Sequence, residues 1–468
     1  MPERTIHFVS LGCPKNRVDS EVMLGVAMRA GYVHVNEANR AEVIVINTCG
    51  FIDSAKKESV DTILELAQQK QSGKCCKLIV TGCLSQRHPE ELADGFPEVD
   101  YFLGSSDAPK LERVLKGDAQ RIWVGNPADW LMSATDPRVV STRGASAYVK
   151  LAEGCNRKCS FCSIPSLRGL QRSRSIEDVV REVEELCGNG VLEINLISQD
   201  TVAYGRDRTD GATLVGVVRR LAEVKGLQWL RLHYLYPETL NDELIDVLGN
   251  HGKVLPYIDM PLQHVADGIL KRMHRGHGGR RIVQVVERLK QKLPQATLRT
   301  TFIVGHPGET EGEFHELCEF LKFAQFNHMG VFRYSDEPGT PSYSQDGKVP
   351  QKTAEARARK LMSLQRRVSK QKNRELIGKS RLVLVEGPSD ESEWVMEGRH
   401  WGQAPEIDGK VFLSGSEAFP GTMRNVTFTD CRDYDLVGTL DDDEQVNPVA
   451  TKPAPSIVPR RRLNVVSP

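Results

Sequence analysis

Ala152-Glu153-Gly154-Cys155-Asn156-Arg157-Lys158-Cys159-Ser160-Phe161-Cys162 carries three cysteines in the order Cys155-x-x-x-Cys159-x-x-Cys162. Three thiolates on one tight loop can hold three irons of a 4Fe–4S cubane and leave the fourth iron without a protein ligand. An open iron on a low-potential cluster can bind and reduce a small molecule, so the spacing points to catalysis rather than electron storage. The bland alternative is a structural zinc site. Such a site completes its tetrahedron with a fourth Cys or His in paired spacing. Here Ser163-Ile164-Pro165-Ser166 follows Cys162 instead.

Outward from this loop, strand and helix patterns alternate six times. Strands are expected at 148–151, 193–197, 230–232, 257–260, 298–304 and 330–332, with helices at 176–187, 213–224, 280–293 and 311–324 between them. Repeated βα units close toward a barrel whose chemistry lies at the carboxyl ends of the strands. Six units leave the barrel partly open, so a large substrate could enter from the side. The candidate positions past the strands are the Cys155 loop, Ser198-Gln199-Asp200, Tyr234-Leu235-Tyr236-Pro237, Gln263-His264, Gly305-His306-Pro307-Gly308-Glu309 and Tyr334-Ser335. The glycines of the Gly305 turn would let backbone approach the adenosine or methionine part of a cofactor, although such turns also simply end strands. His264, His274, His277 and His306 lack zinc-site spacing and read as solvated or core histidines.

Before the barrel, three apolar runs each lead into a cysteine. His7–Gly12 leads to Cys13, Val43–Thr48 to Cys49, and Leu78–Gly82 to Cys83. Helical patterns at 19–30 and 53–69 separate them, which indicates a parallel sheet. Parallel strands place their carboxyl ends on one edge, so Cys13, Cys49 and Cys83 converge there. One such cysteine would read as a small buried hydrophobe. Three at equivalent strand ends read as a second three-cysteine cluster site. Cys75, Cys76, Cys187, Cys318 and Cys431 lack this pattern and read as ordinary thiols.

After the barrel, 351–376 reads as an amphipathic helix with a basic outer face. Five short strand patterns with Gly-rich turns follow, at 381–386, 394–399, 410–414, 423–430 and 434–440, and suggest an OB-like β-barrel. Between Lys379 and Leu440 stand six Lys and Arg against eleven Asp and Glu. That sign argues against direct nucleic-acid binding and for a basic protein partner. The expected architecture is therefore multidomain α/β: a parallel α/β sheet domain at 1–140, a partial (β/α)6 TIM-like barrel at 141–374, a small five-stranded β-barrel at 375–440, and a Pro-rich disordered tail at 441–468. The bulk numbers agree. Length allows about three domains of ~150 residues. Equal numbers of basic and acidic residues, 62 each, give no bulk affinity for nucleic acid. Eleven cysteines without a signal peptide or an apolar span fit thiolate ligands in a reducing cytoplasm, and no membrane partner is expected.

These segments together resemble the methylthiotransferase family of radical S-adenosylmethionine enzymes. The resemblance is carried by Ser10-Leu11-Gly12-Cys13-Pro14-Lys15-Asn16, Asn47-Thr48-Cys49-Gly50-Phe51-Ile52-Asp53-Ser54-Ala55, Thr81-Gly82-Cys83-Leu84, Ile197-Ser198-Gln199-Asp200-Thr201 and Ala404-Pro405-Glu406-Ile407-Asp408-Gly409, besides the Cys155 loop. They are most similar to the branch acting on protein twelve of the small ribosomal subunit. The tRNA-modifying branch typically shows Gly-Cys-Gln-Met-Asn where Gly12-Cys13-Pro14-Lys15-Asn16 stands. The resemblance implies methylthiolation of the β-carbon of one aspartate. It implies a TRAM-like small barrel and two 4Fe–4S clusters, one on Cys155, Cys159 and Cys162 with S-adenosylmethionine, one auxiliary on Cys13, Cys49 and Cys83. Reduction by an external low-potential donor would cleave the cofactor to a 5′-deoxyadenosyl radical. Phe161 and Gln199 are the implied contacts of S-adenosylmethionine. Two departures stand out: His306 replaces the usual Phe of the Gly-Phe-Pro-Gly-Glu-Thr run, and Ser198-Gln199-Asp200 replaces a Gly-Gly-Glu run. The alternatives are a tRNA methylthiotransferase of the same chemistry and a non-catalytic electron carrier or ribosome-binding factor.

Overall fold

The computed structural model describes residues 3–117, 120–414 and 418–441. All but the first residue of the expected tail lies outside them.

The first sheet consists of β1 (Arg4–Ser10), β2 (Tyr32–His34), β3 (Val43–Thr48), β4 (Lys77–Gly82), β5 (Tyr101–Leu103) and β6 (Ile122–Trp123), all parallel, in the order β2-β1-β3-β4-β5-β6. The three strands expected from sequence are its adjacent centre. β2, β5 and β6 were not expected, because two or three residues carry no legible alternation. Every residue of β3 is buried, as an apolar central strand covered on both faces requires. Ser10 is level with Asn47, and Asn47 with Thr81, so the three carboxyl ends align.

The next six parallel strands carry the site. β7 (Ser146–Lys150) is followed by the short antiparallel pair β8 (Ala152–Glu153) and β9 (Arg172–Ser173), which brackets the cysteine loop. Then come β10 (Glu193–Ile197), β11 (Trp229–Leu232), β12 (Tyr257–Asp259), β13 (Thr297–Val304) and β14 (His328–Arg333). They form two three-stranded halves, β11-β10-β7 and β12-β13-β14, related by an isolated parallel bridge between Leu230 and Val254. Helices Ile176–Gly188, Leu214–Ala222, Gly279–Lys292 and Glu311–Ala324 cover the outside and bury Val183, Leu221, Val286 and Leu317 in one continuous core. Ser175 and Thr213 cap the first two, and Thr310 with Glu313 closes a capping box on the last.

The five expected C-terminal strands are β15 (Ser380–Ser389), β16 (Ser392–His400), β17 (Val411–Ser414), β18 (Met423–Cys431) and β19 (Leu436–Leu440), closed into a barrel around Val383, Val411, Val426 and Phe428. This barrel docks on the amino ends of β10, β11 and β12, where Leu384, Ala404 and Met423 pack with Trp229 and Tyr257. The cysteine loop follows the carboxyl end of β7, so the small barrel sits at the opposite end of the strands. Much of its acidity is paired, within the barrel or with the domains it docks on. Glu386 meets Arg399, Glu397 meets Lys410, Asp408 meets Arg299, and Glu406 meets Arg17. Asp390, Glu391 and Asp430 remain exposed.

Glu193 fixes the docking. It is fully buried and binds Arg231 at 2.9 Å and Arg399 at 2.6 Å. Burial alone would raise its carboxyl; Arg399 and Arg231 outweigh it and hold the group down at about 2. Glu193→Ala strands two buried guanidinium groups and should destabilise the chain by ~3–5 kcal/mol in denaturant unfolding. The folded value lies below the ordinary 4.5, so the stability Glu193 contributes is complete above pH 4.5 and fades as pH falls toward 2. Wild-type unfolding that is no more acid-sensitive in this window than the Glu193→Ala chain would contradict this.

Candidate metal centre

The Cys155 loop is held from several sides. The amide of Cys155 donates to Gly169 O at 3.1 Å. Gly154 has φ +81, and a Cβ there would meet Leu170 O at 2.2 Å, so only glycine fits. Ser160 is the second anchor. Its amide donates to Met273 O at 3.0 Å, its hydroxyl to Arg272 O at 2.7 Å, and its carbonyl accepts from the Ser342 amide at 2.8 Å. Each cysteine sulfur then receives one N–H: Arg157 N to Cys155 at 3.4 Å, Arg275 Nη1 to Cys159 at 3.4 Å, and Ile164 N to Cys162 at 3.5 Å. Burial pushes Cys155 up to about 11 and Cys162 up to about 12 against these donors. Cys155 and Cys162 are thus protonated as free thiols, and metal ligation displaces their protons.

Around the loop, several buried polar atoms have no partner: Gln199 Oε1, Asp200 Oδ1, Arg157 Nη2, Gln263 Oε1 and Arg275 Nε. Polar groups withheld from both water and protein are expected where a polar cofactor binds. Gln199 is oriented by its Nε2, which donates to Glu153 Oε1 at 2.7 Å. Arg157 is clamped by Asp200 at 2.6 Å and Glu238 at 2.9 Å. Its guanidinium and that of Arg275 both lie on the Tyr236 ring, 3.6 and 4.1 Å from the centroid. Phe161 is half-buried. Tyr234 and Gln263, which follow β11 and β12, hold φ of +59 and +72, left-handed values that non-glycine residues adopt under constraint from their surroundings.

The other three cysteines meet at the aligned ends of β1, β3 and β4. Helix Pro14–Arg29 starts directly after Cys13, with Pro14 in its first turn, earlier than the expected start at residue 19. That start puts Asn16 at the centre. Its Nδ2 donates to Leu11 O and Thr48 O at 3.0 and 2.9 Å, and its Oδ1 lies 3.7 Å from Cys83 Sγ. Ser59 exchanges hydrogen bonds with the backbone of Cys49, both at 3.0 Å. Burial raises Cys49 far above the thiol range, and the charges of Cys83 and Cys13 raise it further. Burial raises Cys83 as well, with Arg168 opposing. Three free thiolates would repel one another here; a cationic cluster turns that repulsion into attraction. Among the described residues no three His, Cys, Asp or Glu side chains converge on a single ion. A cubane asks for less convergence, because each thiolate takes its own iron.

A buried ion set joins the two sites. Lys150, at the end of β7, donates to Asp19 at 2.5 Å and to Glu153 at 2.8 Å. Arg168 donates to Asp19 at 2.6 Å and to Asn16 Oδ1. Glu337, just past β14, receives Lys56 at 2.8 Å and Arg87 at 2.6 Å, from the helices that begin after Cys49 and at Cys83. Both cysteine trios therefore face one seam.

Residues 5–104 match the Uncharacterized protein family UPF0004, residues 149–321 the Radical SAM superfamily, and residues 377–440 the TRAM domain. A protein of Sorangium cellulosum named ribosomal protein uS12 methylthiotransferase RimO is 63% identical over 95% of this chain and 92% of its own length. One of the same name from Myxococcus xanthus is 47% identical over 93% and 92%. The chain belongs to the ribosomal protein uS12 methylthiotransferase family. It is a radical S-adenosylmethionine enzyme that uses an iron–sulfur cluster and S-adenosylmethionine. In fold it is similar to the radical S-adenosylmethionine methyltransferase TsrM of Kitasatospora setae, with a TM-score of 0.52 at 14% identity over 73% of this chain and 77% of that one.

The Gly305 turn, expected to let backbone approach the cofactor, is also packed closely by protein. A Cβ at Gly305 would meet Ala354 Cβ at 2.5 Å, and one at Gly308 the Arg272 guanidinium, so these glycines admit protein neighbours. Glu309 closes the turn, accepting from the Gly305 amide and from Arg357. His264 and His306 are buried and hydrogen-bonded within the core, and His274 is exposed. Sequence reasoning missed Arg168, Lys150 and Glu153. The one available signal was their nearness to the cysteine segments. Gly12 has φ +87 and a Cβ there would meet Cys49 Cβ at 2.8 Å and its sulfur at 2.9 Å. Where Cys13, Cys49 and Cys83 hold iron, Gly12→Ala should lose that iron and keep iron on the Cys155 loop, read as iron content in otherwise wild-type and Cys159→Ala chains; unchanged iron in both would contradict it.

Proposed function

We propose that this enzyme adds a methylthio group to the β-carbon of an aspartate in ribosomal protein uS12, using one 4Fe–4S cluster on Cys155, Cys159 and Cys162 and a second on Cys13, Cys49 and Cys83. The observation that carries the reading is the pairing of two three-thiol sites across one buried seam. When loaded, the site supplies carbon-radical chemistry from S-adenosylmethionine and a sulfur atom to transfer. A radical suits the substrate, because an aspartate β-C–H is too weakly acidic for a side-chain base near neutral pH.

The chain's own groups do the rest. Cys155, Cys159 and Cys162 would hold three of the four irons of a cubane and leave the fourth to S-adenosylmethionine. Their N–H donors, from Arg157, Ile164 and Arg275, stabilise negative charge on sulfur and so help set the reduction potential. Gln199 offers its unpartnered Oε1 to the cofactor, held in place by Glu153. Phe161, half-buried between two of the ligands, would pack near the adenine and help exclude water. On the opposing side Asn16 holds the ends of β1 and β3 together, which fixes where Cys13 and Cys49 point.

A protein substrate is favoured over tRNA by the names of the relatives and by the exposed acidic groups of the small barrel. An external low-potential donor would supply the electrons. Mass spectrometry of ribosomal protein uS12 and of tRNA nucleosides, from cells with and without the gene, tests the reading. Loss of one methylthio group from the protein with tRNA unchanged is expected; loss from tRNA alone overturns the substrate. For the division of labour, Cys159→Ala should abolish reductive cleavage of S-adenosylmethionine while the N-terminal cluster assembles. Cys49→Ala should spare cleavage and block methylthio transfer. Cleavage lost in Cys49→Ala, with the Cys155-loop cluster intact, would refute separate roles.

A further inference from the structure

Arg168 ends the short helix Ile164–Arg168, which follows Cys162 and therefore belongs to the radical site by sequence. Its side chain leaves that site. Helix Ile164–Arg168 packs on helix Cys83–Arg87 of the first domain, and Ser105 Oγ fastens the contact by donating to Leu167 O at 2.6 Å. The guanidinium, only 2% exposed, then lies among the residues behind the N-terminal cysteines. It donates to Asn16 Oδ1, the atom 3.7 Å from Cys83 Sγ, and to Asp19 at 2.6 Å, with Glu153 at 3.5 Å. Asp19 is thus shared between Arg168 and Lys150. A buried cation in such a place is more than a tether. Cluster potentials respond to nearby charge and to hydrogen bonds at the sulfurs, and neither is screened where water is excluded.

We propose that Arg168 is a positioning residue of the N-terminal cluster, bringing from the radical domain the positive charge that sets that cluster's reduction potential. The inference rests on the three-cysteine reading of Cys13, Cys49 and Cys83. Reduction adds one negative charge to the cluster. Arg168 stabilises that charge, and Asp19, the anion bound to the same guanidinium, opposes it. The two substitutions should therefore act with opposite signs. The radical cluster has its own cation in Arg275, bonded to Cys159, so its potential should respond little to either change.

The test uses the full-length chain carrying Cys159→Ala, reconstituted anaerobically with iron and sulfide, so that only the N-terminal cluster contributes. Its midpoint is read by redox titration monitored by electron paramagnetic resonance, beside iron content and circular dichroism. Arg168→Met should lower the midpoint, Arg168→Lys should restore most of the shift, and Asp19→Asn should raise it. A purely structural role would not produce shifts of opposite sign. Equal midpoints in folded, iron-loaded variants overturn the proposal, as do shifts of the same sign in Arg168→Met and Asp19→Asn. If Arg168→Met fails to fold or to hold iron, Asp19→Asn and Arg168→Lys decide: an upward shift in the first with a near-parental value in the second supports the proposal, and no shift in the first overturns it. Absence of any cluster from the Cys159→Ala parent would instead remove the three-cysteine reading itself, and this proposal with it.

Discussion

Asp19 lies buried between Lys150 and Arg168, and the two domains that carry the cysteines meet around it. An ion set of this kind adds little net stability compared with apolar packing of the same volume. What it enforces is register. Any slip between the domains would leave a charge buried without its partner, which is among the most expensive defects a protein interior can contain. The Glu337 contacts to Lys56 and Arg87 tie the same two domains together a second time. The positions of two sets of thiols, contributed by different sheets, follow from these contacts.

Both cysteine trios obey one topological rule and reach it differently. In the first sheet the cysteines sit at the carboxyl ends of three neighbouring parallel strands, so alignment of β1, β3 and β4 gathers residues far apart in sequence. In the barrel all three lie on one loop past β7, and the hydrogen bonds of Ser160 to the Met273 and Arg272 segment give that loop its shape. The first site inherits rigidity from a sheet; the second acquires it from neighbouring loops. The small C-terminal barrel contributes at the other end of the strands. Its loop around Pro405 and Asp408 reaches Tyr148, Tyr257 and Arg299 and closes the amino end of the larger barrel.

Most of the framework was legible because it rests on local pattern. Six strand-and-helix units, the three N-terminal apolar runs and the five strands of the small barrel all carry their period in adjacent residues, and the structure has each of them. The two cysteine trios were legible by spacing and by strand-end position. The seam was not. Asp19 and Glu21 give no local sign of burial in the sequence, yet both are buried, Asp19 against Lys150 and Arg168 of the larger barrel and Glu21 against Arg138 far along the chain. No local pattern distinguishes a carboxylate facing water from one facing an arginine far along the chain. For the same reason composition overstated the acidity of the small barrel, where Glu386, Glu397 and Asp408 are neutralised inside. The Gly305 turn shows the converse. Its glycines signal close approach from the sequence alone, and Ala354 and Arg272 lie where a Cβ would go.

The claim that two iron–sulfur clusters face each other across this seam is tested most directly by anomalous diffraction at the iron edge from anaerobic, iron-loaded crystals. Two separate iron peaks are predicted, one against Cys155, Cys159 and Cys162, the other against Cys13, Cys49 and Cys83. A single peak at the Cys155 loop, with the three N-terminal sulfurs unligated in a fully reconstituted sample, would contradict it.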